Sequence, residues 1–270
     1  MNDTAKTCVI CSSTTSPEFS VSHREQSVIY YECSFCQHLT ASDFDADSLY
    51  VEDEYFEGVD SEWKTRNRRI LRYLRFLNIL PGVSIHQNST TLDFGCGVGQ
   101  LVSDLEEEGF EAWGYEPFPN RPPKSSRVFS EWSKIQSRVD SIELATAIEV
   151  LEHLRKPGRE LRSLVSIMRS QGYLLVSTEI YDPKKHTEKW YYLNPAAGHV
   201  SIFTEQSLRL LMEQLGLHPV LRVTDDVWLF KKVEKASLAD SLYFSVSQLR
   251  LRLGLRRSSF TPREDYLQVQ

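Results

Sequence analysis

Apolar positions along this chain of 270 residues change rhythm several times, and each change marks an element. In WKTRNRRILRYLRFLNIL, Ile70, Leu71, Leu74 and Leu77 recur at helical spacing, with most arginines on the other faces; Pro81-Gly82 ends the run. A helix is predicted there. Further on, short apolar runs alternate with helix-period segments. TLDF predicts a strand, Gln100 to Glu108 a helix closed by Gly109, and FEAWGYE and SIELATAI two more strands. PGRELRSLVSIMRS predicts a helix and GYLLVST a fourth strand. FTEQSLRLLMEQLG predicts another helix, with Thr204 as N-cap and Gly216 just past its end. HPVLRV and VWLFKK flank the turn-forming TDD and predict an antiparallel hairpin at a sheet edge. Such alternation implies an α/β fold, a doubly wound, mostly parallel sheet with helices on both faces.

Four of five cysteines add a second unit. Cys8 and Cys11 (CVIC) and Cys33 and Cys36 (CSFC) are two CxxC pairs separated by a polar stretch, a spacing that suits one tetrahedral four-sulfur zinc site. Disulfides and a redox CxxC are the competing interpretations; a reducing compartment disfavours the first, and the second usually needs only one pair. The intervening SVSHREQSVIYYE alternates well enough for strands, so a small zinc ribbon is expected, with metal supplying folding energy and His23 and His38 as spare ligands.

Charge shifts the picture in two places. The formal net charge of −6 argues against a surface that holds nucleic acid by neutralising phosphates, so a small-molecule acceptor is the expected partner. The stretch from Asp43 to Glu62 is acidic and aromatic, whereas the segment from Ala236 onward is net basic and amphipathic. That basic tail is expected to pack on its own domain, on a partner or peripherally on a membrane surface. MNDTAKTCVICSS lacks the apolar core of a secretion signal, and no run approaches the roughly 18 apolar residues of a membrane span, so a cytoplasmic location is expected. Oligomeric state is left open.

The chemistry centres on LDFGCGVGQ. A glycine-rich turn after the first strand of a parallel sheet lets a ligand approach the backbone closely, and Gly95, Gly97 and Gly99 fit that role. Glu116, ending the next strand in GYEP, is placed to accept hydrogen bonds from both hydroxyls of a ribose, with Pro117 after it. The spacing is GxGxG rather than the GxGxxG of dinucleotide sites. With Asp93 ahead of the glycines, this stretch resembles motif I of class I S-adenosylmethionine-dependent methyltransferases of the ubiquinone-methyltransferase-like kind. The likeness extends through IEVLEHLRKPG and WYYLNPAAGHVSIFTEQSLRLLMEQLG. It implies that S-adenosyl-L-methionine lies against the glycines, that Glu116 binds its ribose, and that Ile148 and Glu149 line its other side. Cys96 is then a small residue in the turn, not a nucleophile.

IEVLEHL spaces Glu149, Glu152 and His153 at i, i+3 and i+4, so a helix would put them on one face at the mouth of the site. One of them could act as general base, or the group could bind a divalent cation such as Mg²⁺ or Mn²⁺, or it could be structural. The ExxEH arrangement resembles that of ubiquinone-pathway and small-RNA 3′-end methyltransferases, which implies His199 as a fourth ligand beside Glu149, Glu152 and His153. Trp190, Tyr191 and Tyr192 form either an acceptor wall or a cover for the core. The arginines of that helix either lie on a solvated face, or Arg69 or a neighbour reaches an anionic ligand, with Tyr55 and Phe56 forming part of a lid. The expected organisation is a zinc ribbon over 1–42, a helical connector over 43–85, a methyltransferase domain over 86–233 and the basic tail over 234–270. The expected activity is methyl transfer to a hydroxyl of a sugar, glycan or secondary metabolite. A noncatalytic module that binds the cofactor and recruits, and a metal-dependent RNA 3′-end 2′-O-methyltransferase, are the alternatives.

Overall fold

The computed structural model describes residues 7–24, 26–44, 63–80, 82–119, 121–137 and 141–233. The basic tail, Pro81 and the lid candidates Tyr55 and Phe56 lie outside the described residues. Strands β1 (Thr15–His23), β2 (Gln26–Cys33) and β3 (Leu39–Ala41) precede helix α1 (Trp63–Asn78). Then come β4 (Thr90–Phe94), α2 (Gln100–Glu107), β5 (Glu111–Tyr115), β6 (Val128–Phe129), α3 (Trp132–Gln136) and β7 (Ile142–Ile148). Helix α4 (Pro157–Ile167), β8 (Met168–Ser177), β9 (Ser201–Ile202), α5 (Glu205–Gln214), β10 (Leu217–Arg222) and β11 (Val227–Lys232) follow.

The main sheet has the order β10-β11-β8-β7-β4-β5-β6. Strands β6, β5, β4, β7 and β8 are mutually parallel, while β11 and β10 close the edge as an antiparallel hairpin. Its parallel strands alternate between two buried faces, as a strand with period two must when both sides are covered. Leu144, Ile148, Tyr173 and Leu175 pack with Ile70, Leu74 and Leu77 of α1 and Leu101, Val102 and Leu105 of α2. Ala145, Ala147, Leu174 and Val176 pack with Leu161 and Leu164 of α4 and Leu208, Leu211 and Met212 of α5. The chain winds outward from β4 to β6 and then returns beside β4 with β7, so the switch point lies at the carboxyl ends of β4 and β7.

The second sheet, β1-β2-β3-β9, carries the cysteines and is completed from the other half of the chain: Leu39 pairs with Ile202 and Thr40 with Ser201. One predicted boundary is corrected. The helix in PGRELRSLVSIMRS stops at Ile167, because Met168 already pairs with Ile142 as the first residue of β8, and Gln171 (φ 66°) carries the irregularity that follows. Among the described residues, no helix is long and apolar enough to cross a membrane.

Candidate functional site

Strand β4 delivers its chain directly into a bend where Gly95, Gly97 and Gly99 have φ of 74°, 53° and 75°. Gly95 and Cys96 N–H both donate to the Tyr115 carbonyl that ends β5, at 2.8 and 3.1 Å. A Cβ on Gly95 would stand 2.6 Å from Val150 Cγ2, so the bend fits only bare backbone on that side. Gly97 is the opposite case, since a Cβ there would meet nothing within 4 Å. Beside this open face, Glu116 Oε2 accepts from Gly97 N–H at 2.9 Å and Oε1 accepts from Phe118 N–H at 3.0 Å. Burial raises the Glu116 pKa and the two N–H donors oppose it.

Beneath the bend, buried Asp93 accepts from Thr146 Oγ1 of β7 at 2.7 Å. Burial, ahead of every other cause, raises its pKa to about 7. Burial likewise pushes the Cys96 thiol up, so it is no thiolate at neutral pH, and its sulfur packs against Gly114. Ile148 ends β7 across the switch point.

At Glu149 the chain takes a left-handed φ of 54° and then a single 3₁₀ turn, Leu151–His153. This corrects the expected helical face: three residues of 3₁₀ turn cannot stack i, i+3 and i+4. The Glu149 carboxylate goes instead to Ser177 Oγ and, at 3.3 Å, to the Tyr192 hydroxyl. Glu152 is fully buried and accepts from Thr178 Oγ1 at 3.1 Å through Oε2. Its Oε1 has no hydrogen-bond partner and lies 3.9 Å from His153 Nε2. His153 Nδ1 meets the Gly198 carbonyl at 3.2 Å and His199 Nδ1 the Tyr192 carbonyl at 2.8 Å. Those carbonyls call for a proton on each Nδ1, which makes each Nε2 the unprotonated, accepting nitrogen of its ring. One donor atom each from Glu152, His153 and His199 lies within 4.8 Å of the others. Burial lowers His153 to about 4 and His199 to about 3, and raises Glu152 well above the usual carboxylate range, with Glu149 the next cause. With its imidazole uncharged at neutral pH, His153 does not form an ion pair with Glu152 across the 3.9 Å approach.

A family model described as a methyltransferase domain matches residues 63–221, more than half of the chain and all of this bend. The chain belongs to that methyltransferase family. A sterol 4-C-methyltransferase of Caenorhabditis elegans is 23% identical over 195 residues, 64% of this chain and 58% of that protein. A ubiquinone biosynthesis O-methyltransferase of Yersinia enterocolitica is 24% identical over 162 residues, 54% of this chain and 65% of its own. The chain thus spans about three-fifths of the length of these curated relatives. Among solved structures, the Burkholderia thailandensis 1,6-didemethyltoxoflavin-N1-methyltransferase with bound S-adenosylhomocysteine aligns with a TM-score of 0.51 at 17% identity. That alignment covers 80% of this chain and 100% of the other. The complex of the Haloferax volcanii Trm112 methyltransferase activator with a methyltransferase aligns at 0.50 and 13% identity, covering 72% of this chain and 100% of that chain. At these identities the structures show the fold, a class I methyltransferase sheet.

Outside the methyltransferase sheet, the four ribbon cysteines converge. Cys8 and Cys36 Sγ are 3.6 Å apart, Cys11 and Cys33 3.4 Å, and Cys11 and Cys36 3.6 Å. Sulfurs at the corners of a zinc tetrahedron with bonds of about 2.3 Å stand about 3.8 Å apart, so the group fits that ion. Ile10 N–H donates to Cys8 Sγ, and Phe35 and Cys36 N–H donate to Cys33 Sγ, each at 3.4 Å. The hydrogen bond between Cys8 and Cys36 pulls the first thiol down to about 5 and pushes the second up. One negative sulfur suppresses its neighbour until a cation joins them. The His38 ring is not among the clustered donor atoms; it is buried against Phe203 at 4.8 Å between ring centroids.

The structure places other residues named from the sequence as follows. Arg69 pairs with Asp226 of the hairpin turn at 2.8 Å, which ties α1 to the sheet edge. Tyr192 is buried, Trp190 stacks on His186 at 4.0 Å, and of the three aromatics only Tyr191 is exposed. Tyr192 binds Glu149 from the core side, while Thr178 and Arg66 are not among the residues named from the sequence; Thr178 binds Glu152, and the Arg66 charge acts on both Asp93 and His153. Arg66 is half-buried four residues before Ile70 of α1, a periodicity signal that could have marked it.

Proposed function

We propose that this chain is an S-adenosylmethionine-dependent methyltransferase acting on a hydroxyl of a small molecule, in the class of sugars, glycans or secondary metabolites. The observation that carries the first half is Glu116 beside the open face of Gly97. Each carboxylate oxygen accepts one backbone N–H and keeps a second lone pair, so the pair can take up both hydroxyls of a ribose. The bare backbone of Gly95 to Gly99 provides close approach for the methionine part, with Asp93 and Thr146 bracing the bend and Pro117, Ile148 and Glu149 bounding it. When bound, the cofactor supplies an electrophilic methyl group on a sulfonium centre. The protein then has to hold the acceptor oxygen in line, which is largely a matter of placement.

Glu152, His153 and His199 supply the acceptor side. Their imidazoles are neutral at physiological pH, so an unprotonated Nε2 can receive the proton of a hydroxyl as the methyl group transfers. A second reading has the same three groups hold a divalent ion, favoured by the orphaned, buried Oε1 of Glu152 facing His153. Two imidazoles and one carboxylate suit a first-row transition ion better than Mg²⁺, and Glu149 is engaged elsewhere. An ion there would lower the pKa of an acceptor hydroxyl. The four ribbon sulfurs are proposed to hold structural zinc, with no open position for chemistry. The curated relatives support small acceptors by their names alone, a sterol methyltransferase and an O-methyltransferase of ubiquinone biosynthesis.

Incubation with methyl-labelled cofactor and a panel of sugar nucleotides, quinols and RNA ends tests the reading. Label on a small hydroxyl compound supports it. Cofactor binding without transfer to any of them would favour a recruiting module, and chelator-sensitive transfer to RNA ends would favour the RNA enzyme.

A further inference from the structure

The ribbon does not merely sit beside the methyltransferase sheet; it holds one member of the histidine pair. Tyr30 of β2 has no exposed surface, and its hydroxyl donates to the His199 main-chain carbonyl at 2.7 Å. On either side of that bond, the segment from His199 to Thr204 is clamped between the ribbon and the 3₁₀ turn. Ala41 N–H donates to the Val200 carbonyl at 2.9 Å, while Val200 N–H donates to the Glu152 carbonyl at 2.8 Å. Ser201 Oγ donates to the Leu154 carbonyl at 2.6 Å, and Thr204 Oγ1 to the Cys36 carbonyl at 2.7 Å. A continuous set of hydrogen bonds therefore runs from a zinc-ligand candidate to the backbone of Glu152 and His199. Tyr30 lies in the same apolar cluster as Tyr192, whose carbonyl fixes the His199 ring.

We propose that Tyr30 is a positioning residue for His199, and that the ribbon's sheet sets the geometry of the Glu152, His153 and His199 group. The inference rests on the assignment of that group to the acceptor side. It predicts a structural zinc unit whose effect is felt in the site and not only in stability. Outer partners of a ligating group commonly change its affinity 10- to 100-fold when lost, and Tyr30 acts in that manner through the backbone.

The test uses the full chain with its ribbon loaded with zinc, as wild type, Tyr30→Phe and Tyr181→Phe. Tyr181 is a control, since its hydroxyl meets Glu32 of the ribbon at 3.4 Å and does not touch His199. Co²⁺ is titrated as a probe, because bands of an imidazole and carboxylate site lack the sulfur charge-transfer absorption of a ribbon site. Hydrogen exchange over residues 194–204 and calorimetry of S-adenosylhomocysteine are measured in parallel. The expected result for Tyr30→Phe is Co²⁺ affinity lowered about tenfold or more, faster exchange over 194–204, cofactor-product affinity within twofold and unchanged zinc content. Tyr181→Phe should leave all four near wild type. Unaltered Co²⁺ affinity and exchange in Tyr30→Phe would overturn the proposal, as would an equal loss of cofactor-product affinity, which marks a general structural defect. Should the wild type take up no Co²⁺ at this group, the metal reading fails by itself. The positioning role is then decided by exchange over 194–204 alone.

Discussion

At the scale of single residues, the bend was readable because glycine is the one residue whose presence announces a backbone requirement. All three glycines of GCGVG have positive φ. Gly97→Ala isolates what that opening serves: the left-handed conformation costs an alanine about 1 kcal/mol, while its methyl group enters the space beside Glu116. Urea unfolding should show a small loss, and calorimetry a larger loss of S-adenosylhomocysteine affinity; equal losses in both would place the ligand elsewhere. Asp93 gives a signed pH effect. Its native pKa of about 7 stands above the ordinary value of 3.8, so the folded protein holds this proton more tightly than the unfolded chain. That contribution to stability is complete below about pH 4 and is lost as pH rises toward 7. Relative to Asp93→Asn, the wild type should therefore lose stability across that window, and parallel stability curves would refute the burial argument. The glutamates were read less well. ExxEH pointed to Glu152 and His153, which the fold brings together with His199, but Glu149 and Glu152 diverge because a left-handed residue and a 3₁₀ turn replaced the helix, and nothing in the local pattern signals φ at a glutamate.

At the scale of elements, long periodic segments were legible and short ones were not. Helix α5 has its Thr204 cap, with Ser207 N–H donating to Thr204 Oγ1 at 3.0 Å, and β10 and β11 pair as the TDD turn implied. Strand β6, with two residues, and α3, with five, are too short to show a period. The boundary of α4 with β8 failed for a tertiary reason, the pairing of Met168 with Ile142. Gly172 is what permits it. A Cβ there would lie 2.9 Å from the Arg169 carbonyl oxygen and 3.1 Å from that of Ile142, contacts that backbone cannot relieve. Gly172→Ala should destabilise by about 1–3 kcal/mol. Gly158→Ala in α4 meets only Leu211 Cδ1 at 3.6 Å and should be neutral or stabilising, because alanine favours a helix. Urea midpoints compare them, and a harmless Gly172→Ala would mean that the β8 irregularity is not fixed as described.

At the scale of the whole molecule, the sheet order follows from alternation of strand and helix, whereas the joining of the ribbon to β9 could not be read. A two-residue strand 161 positions downstream carries no local mark of its partner, and only the folded chain brings Thr40 to Ser201. The four sulfurs were legible by spacing, and their convergence makes a further prediction. Cys33→Ser should lower zinc content by about one equivalent and the thermal midpoint with it, since ligand loss removes folding energy. Metal analysis showing undiminished zinc would contradict this use of the cluster. The central claim, however, concerns the bend between β4 and α2. Calorimetric titration of S-adenosylhomocysteine into the folded wild type and into Glu116→Ala tests it most directly. The account predicts one molecule bound per chain and at least about tenfold weaker binding in the variant, the cost of hydrogen bonds to a charged group. Folded protein that takes up none of the ligand, or a variant that binds it as tightly as the wild type, would contradict it.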